Sequence, residues 1–125
     1  MNSIADMLTR IRNGQLAHKA SVRCPKTNLC LKILDIMCDE GFIRGYSRIN
    51  DKEIMILLKY LGGKAVIRQL GVISCSSRRL YLSTLDLYRL SPQLGLLILS
   101  TPKGIMQSDE ALKLSQGGEL LCYIE

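Results

Sequence analysis

Apolar positions change period several times along this chain, and each change predicts an element. Ile4, Met7, Leu8 and Ile11 recur at i, i+3, i+4 and i+7, the stripe of an amphipathic helix. Ser3 is placed to cap that helix and Asn13-Gly14 to stop it. Asp6 and Arg10 are spaced for an i,i+4 pair, and Arg12 and Asn13 fall on the polar side near the helix end. Residues 20–24 are short and mixed, and Pro25 pushes Cys24 towards extended backbone, so an edge strand is expected. Thr27 or Asn28 caps a second helix with the stripe Leu29, Ile33, Ile36 and Met37, ending at Glu40-Gly41. Residues 42–47 and 53–60 then read as two strands joined as a hairpin through residues 49–52.

Gly62-Gly63 is the one flexible pair between two apolar runs, and it divides the chain into an N-terminal α/β lobe, 1–61, and a second lobe, 62–125. Residues 65–74 read as a strand in which Gly71 marks a bulge or a close approach. A polar basic turn, Ser76-Ser77-Arg78-Arg79, precedes Leu80-Tyr81-Leu82. Residues 84–93 are mixed, and Pro92 forbids a helix through their end. Residues 94–99 are an uninterrupted apolar run with the length of a buried strand. The run stops abruptly at Ser100-Thr101-Pro102-Lys103-Gly104, which reads as a loop presented by that strand. Ser108 caps a short helix with Asp109 and Glu110 in its first turn, Gly117-Gly118 ends it, and residues 119–124 close the sheet. The fold class is therefore α+β, with two small α/β lobes. The first is helix-strand-helix-hairpin, and the second is mostly antiparallel sheet with one short helix.

Composition sharpens this picture only in part. An apolar share of 47% over 125 residues supplies a core for one domain or two small lobes. The net charge of +6 is compatible with a polyanionic partner, and its distribution says more. Lys and Arg outnumber Asp and Glu ten to six in residues 1–61 and six to one in residues 62–107, whereas residues 108–125 are acidic. The basic excess thus builds up before and within the presented loop. Five cysteines without a Cys-x-x-Cys pair read as reduced structural thiols in a reducing compartment. With His18 as the only histidine and no recurrent ligand spacing, no metal or other cofactor is expected. No signal peptide, membrane span or arginine-rich presequence is legible before the first helix, so the protein is expected to be made where it works.

Catalysis requires a constellation that the sequence does not display. His18 has no carboxylate or nucleophile near it in sequence, and Ser100 and Thr101 lack a Gly-x-Ser-x-Gly elbow and an assigned base. Gly117-Gly118-Glu119 matches neither phosphate-loop pattern. No catalytic residue and no small-molecule substrate are assigned. A nucleic-acid partner uses more of what is present. Arg78, Arg79 and Lys103 can pair with phosphates, and Ser100 and Thr101 can bond to ribose or base edges. Duplex RNA offers those edges in a wide, shallow minor groove that short side chains on a rigid loop can reach. Tyr81 and Tyr88 can stack on a base or pack in the core.

The sequence resembles the small-subunit ribosomal protein S8 family of bacteria and organelles. The resemblance lies in residues 4–13, in Pro25 with Thr27, in Glu40-Gly41-Phe42-Ile43, and above all in Ser-Thr-Pro-Lys-Gly-Ile-Met followed by Glu110-Ala111 and Gly-Gly-Glu-Leu-Leu-Cys-Tyr. It implies a non-enzymatic scaffold that binds the central domain of small-subunit rRNA and supports platform assembly beside neighbouring small-subunit proteins. It implies further that the second lobe grips an irregular rRNA helix through its minor groove. The main contact maps to Ser100, Thr101, Lys103 and Gly104, with Gly117, Gly118 and Glu119 nearby and Arg79 and Tyr81 in a preceding turn. Arg12, Asn13, Lys19 and Lys26 are candidates for further backbone contacts. Two departures stand out. Pro102 replaces the usual second serine, removing an N–H and a hydroxyl, and Ser77-Arg78 replaces a Pro-Gly element, so that Arg78 can add a phosphate contact or stay solvated. The alternatives are a free-standing RNA-binding regulator and a small Ser/Thr-dependent enzyme. Cysteine content, modest charge and the altered loop favour a mitochondrial ribosome, with synthesis inside the organelle, over a bacterial cytoplasm.

Overall fold

The computed structural model describes residues 3–73, 78–90 and 95–125. They form an α+β fold with antiparallel strand pairing throughout, in two compact units, Asn2–Arg68 and Gln69–Glu125. The first unit contains α1 (Ser3–Leu16), β1 (Ser21–Pro25), α2 (Asn28–Asp39), β2 (Ile43–Arg48), β3 (Glu53–Leu58) and the small hairpin of β4 (Tyr60–Leu61) and β5 (Lys64–Ala65). Gly62 and Gly63, with φ of 59° and 78°, make the turn of that hairpin.

In α1 the expected stripe is buried as Ile4, Met7, Leu8 and Ile11, and Asp6 and Arg10 form their ion pair at 3.1 Å. Two expectations fail there. Ser3 is already helical rather than a cap, and the helix passes through Asn13-Gly14 to Leu16. Gly14 serves packing: a Cβ on it would lie 2.3 Å from Val22 Cγ1, so the absent side chain lets α1 approach β1. In α2, Thr27 does cap, accepting the Cys30 N–H at 3.1 Å. Its buried face is Cys30, Ile33, Leu34 and Met37, and Leu29 and Ile36 are only half-buried. The sheet order β1-β3-β2 makes β1 the expected edge strand. Cys24, Ile54, Ile56 and Leu58 are buried in it. The β2–β3 turn is closed by Asn50, whose Oδ1 accepts the Lys52 and Glu53 N–H groups.

The second unit contains β6 (Leu70–Val72), β7 (Tyr81–Leu82), α3 (Thr84–Leu90), β8 (Leu96–Thr101), β9 (Gly104–Gln107), α4 (Ser108–Lys113) and β10 (Gly118–Ile124). The sheet order is β6-β10-β8-β9, with β7 also on β10, so the last strand is central rather than closing. Of the single strand expected over residues 65–74, the described part, 65–73, holds only the end of β5 and the short β6, and Gly71 yields to the Tyr123 ring, which a Cβ would meet at 2.8 Å. Residues 74–77, which include Ser76 and Ser77 of the basic turn, and residues 91–94, which include Pro92 and the start of the expected 94–99 strand, lie outside the described residues. Residues 84–90 are helical where a mixed segment was expected. Ser83 and Asp86 form a reciprocal capping box, with Ser83 N–H donating to Asp86 Oδ2 at 3.2 Å and Asp86 N–H to Ser83 Oγ at 3.1 Å. Gln107, not Ser108, occupies the cap position of α4, and it makes no side-chain cap bond.

The core of this unit is Leu82, Leu87, Leu97, Leu99, Met106, Ala111 and Leu120. The β10–β8 register shifts between Leu120 and Cys122, a bulge at Leu121 that keeps Glu119 opposite Ser100 while Cys122 pairs with Ile98. Burial pushes the Cys122 thiol up to about 12 and that of Cys24 to about 11. Both are inert core residues at neutral pH.

Gly14→Ala is expected to lower stability by about 1–2 kcal/mol, because overpacking outweighs the helix-propensity gain of about 1 kcal/mol. Urea unfolding reads this, and adding Val22→Ala should restore part of the loss. A raised midpoint for Gly14→Ala alone would show that the α1–β1 contact relaxes freely.

Candidate nucleic-acid interface

The polar end of β8 is strand rather than loop. Ser100 and Thr101 both belong to β8, and Thr101 pairs with Gly104 in β9, leaving Pro102-Lys103 as a two-residue turn. The primed turns common in hairpins need positive φ at their first central residue, which Pro102, fixed at about −65°, cannot adopt. Lys103 is not in that region either, and Gly104 carries the positive φ at 122°. A side chain there would be strained by the backbone alone.

Thr101 closes this turn from inside. Its hydroxyl donates to the Gly104 carbonyl at 2.8 Å and accepts the Lys103 N–H at 3.1 Å, and the residue is 8% exposed. Ser100, one position earlier, points to the opposite face. Antiparallel register places Tyr81, Glu119, Ser100 and Ile105 side by side across β7, β10, β8 and β9. The opposite face at this end is core, carrying Leu82, Leu99, Met106 and Leu120. Tyr81 is 64% exposed, and Glu119 and Ser100 are half-buried.

Two glycines bring these strands together. A Cβ on Gly118 would lie 2.3 Å from the Ser100 carbonyl oxygen, and one on Gly117 would lie 2.5 Å from that of Leu82. The result is an open depression of about 570 Å³ lined by Tyr81, Leu82, Ser83, Asp86, Ser100, Pro102, Gly117, Gly118 and Glu119. Its carboxylates are Asp86, already engaged in capping α3, and Glu119. None of its lining residues is a histidine, cysteine or lysine, so Ser100 has no imidazole to take its proton. The cations lie outside it: Lys103 is exposed in the turn beside Pro102, and Arg79 and Arg78 are exposed just ahead of Tyr81. Among the described residues none of the three joins a salt bridge.

Structure thus gathers Ser100, Tyr81, Gly117, Gly118 and Glu119 around one depression and turns Thr101 inward. In the first unit, Asn13 and Lys19 line a separate groove with Arg10 and Arg23. Arg12 is exposed on α1, and Lys26, at the end of β1, donates its N–H to the Lys52 carbonyl at 2.8 Å; neither lines that groove. Ser83 and Asp86 were not anticipated, although Ser-x-x-Asp before an apolar position is a capping signal. Arg10 was anticipated only as an ion-pair partner. Among the described residues no cluster suits a metal ion, and no helix is long and apolar enough to cross a membrane.

The family model for ribosomal protein S8 matches residues 2–124. The chain belongs to the ribosomal protein S8 family. It is 47% identical to the small ribosomal subunit protein uS8 of Allorhizobium ampelinum, and 45% identical to those of Agrobacterium fabrum and Sinorhizobium fredii, in each case over 97% of this chain and 95% of the relative. It is a structural protein of the small ribosomal subunit and not an enzyme. The row Tyr81–Glu119–Ser100 forms a small platform on the second unit, and the adjoining turn is closed by Thr101. Thr101→Val keeps the shape and removes both hydroxyl bonds, and is expected to cost about 1–3 kcal/mol of folding stability. Hydrogen exchange at the Lys103 amide should accelerate in step. Unchanged exchange would show that the hairpin holds without the hydroxyl.

Proposed function

We propose that the second unit grips an irregular helix in the central domain of small-subunit rRNA through its minor groove. In this role the protein supports assembly of the subunit platform beside neighbouring ribosomal proteins. The observation that carries the reading is the solvent-facing row Tyr81–Glu119–Ser100. A rigid, half-polar surface with a hydroxyl, a carboxylate and a ring suits ribose hydroxyls, base-edge N–H donors and a base face. A phosphate would be repelled from the carboxylates inside, and it is accommodated by Arg78, Arg79 and Lys103 outside.

Roles divide accordingly. Ser100, Tyr81 and Glu119 touch RNA, whereas Thr101, Gly104, Gly117 and Gly118 hold the surface in shape. Pro102 presents a ring instead of the hydroxyl and N–H of the usual serine, so one polar contact is exchanged for a turn already ordered before binding. In the first unit, Arg12, Asn13, Lys19 and Lys26 supply further backbone contacts. We also infer a mitochondrial ribosome as the setting, on the strength of the five cysteines, the modest charge excess and Pro102. The relatives compared are bacterial, so fractionation of the host cell decides between the compartments: co-sedimentation with mitochondrial ribosomes supports the inference, and cytoplasmic ribosomes alone overturn it.

Lys103→Ala should weaken binding to a matching rRNA fragment and flatten the slope of log affinity against log salt by about one. An unchanged slope would remove Lys103 from the interface. Ser100→Ala should cost about 1–3 kcal/mol of binding by leaving an RNA polar group unpaired, and wild-type affinity would assign that hydroxyl to structure alone.

A further inference from the structure

The end of α1 carries an arrangement that the platform does not use. His18, two residues past the end of α1, sits at φ 55°, in the left-handed region, and the Lys19 N–H following it donates to the Gly14 carbonyl at 2.9 Å. The His18 ring is stacked on Tyr60, with centroids 5.6 Å apart and planes inclined by 20°. Tyr60 is itself anchored, its hydroxyl donating to the Lys19 carbonyl at 2.6 Å. Buried Gln15 donates from Nε2 to the Lys59 carbonyl at 3.3 Å and ties the helix end to the same segment. The aromatic pair is therefore held in place before any ligand arrives, and His18 is exposed.

Ala17 and Lys19, on either side of His18, both line the open groove between α1 and β1, about 670 Å³ in volume. Of its cations, Arg10 is already committed, to the Asp6 carboxylate at 3.1 Å and to the Arg23 carbonyl at 2.9 Å. Lys19 and Arg23 line the same groove and join no salt bridge among the described residues. A preformed ring beside a cation-lined groove is the combination that holds single-stranded nucleic acid, with bases stacking on the ring and the backbone following the cations. A duplex does not satisfy it, because paired bases already have their faces covered by neighbours.

Resting on the reading of this chain as an RNA-binding protein, we propose a second RNA site in the first unit that takes an unpaired nucleotide. Its base stacks on His18, backed by Tyr60, and its backbone phosphates meet Lys19 and Arg23. The site is separate in chemistry from the platform, which uses polar edges rather than a stacking face, and each can be disabled alone.

The test uses the full chain and two fluorescent hexamers of equal charge, oligoadenylate and its abasic counterpart, followed by anisotropy. The wild-type protein should prefer oligoadenylate by about 5- to 100-fold, the range of one base–aromatic stack. His18→Asn, which tolerates the left-handed backbone but lacks the aromatic ring, should abolish that preference, and His18→Phe should keep most of it. Lys19→Gln and Arg23→Gln should each flatten the salt dependence by about 0.7 for a single strand. Equal wild-type affinity for the two hexamers, or a preference indifferent to His18→Asn, would overturn the proposal; binding of both hexamers without preference would mean a basic surface alone. Lys103→Ala, measured on a helical rRNA fragment in the same series, keeps the two readings apart. Its effect persists if only the His18 site fails, and the oligoadenylate preference persists if only the platform fails.

Discussion

The second unit depends on two backbone approaches that only glycine permits. Gly118 lies against the Ser100 carbonyl and Gly117 against that of Leu82, each closer than a Cβ could tolerate. These contacts draw β8 and the β7–α3 junction in on either side of the start of β10. Tyr81 and Ser100 thereby flank Glu119 at one register, on the face opposite the leucine core. A β-carbon at either glycine would push the flanking chains apart and leave the polar side chains present but no longer arranged. The bulge at Leu121 has a related effect. It lets one face of β8 run from the buried Leu96 and Ile98 to the half-exposed Ser100 while β10 keeps step with it.

The division of labour between adjacent hydroxyls follows from strand geometry. Ser100 and Thr101 look equivalent in a sequence, but side chains alternate along a strand. One faces the platform, and the other is enclosed in the hairpin and closes its turn. The turn needs that closure because Pro102 excludes the primed conformations, so Gly104 and the Thr101 hydroxyl together set the geometry in which Lys103 is displayed. The charge arrangement fits the proposed RNA partner, whose polar edges would face the carboxylates and whose phosphates would meet the cations around them.

Much of this was legible from residue pattern, and the exceptions have physical causes. The α1 stripe, the Thr27 cap, the Asp6–Arg10 pair and the edge position of β1 were legible from local pattern, whereas α2 buries Cys30 and Leu34 in place of the expected Leu29 and Ile36. Gly14 was misread as a stop because Asn-Gly is a common stop. Its actual role depends on Val22, eight residues on and in another element, which no local window contains. The loop at residues 100–104 turned out to be a tight hairpin because β9 is short and half-polar, with too little alternation to register as a strand. Residues 84–90 are a helix of only seven residues with Pro92 close behind, too short for a clear apolar stripe, and the Ser83–Asp86 capping box is its one local signal. The residue types of the platform were evident. Their assembly into one depression was not, since it rests on strand register and on the two glycine contacts.

The central claim is that RNA meets the face of the second unit bearing Tyr81, Ser100 and Glu119, together with the turn beside it. Amide hydrogen exchange of the full chain, alone and bound to a central-domain rRNA fragment, tests it most directly. The account predicts that binding slows exchange at residues 100–104 and 117–119, with smaller changes over the core strands. Unaltered exchange at those amides in a fully bound complex, with protection appearing elsewhere on the chain, would contradict it.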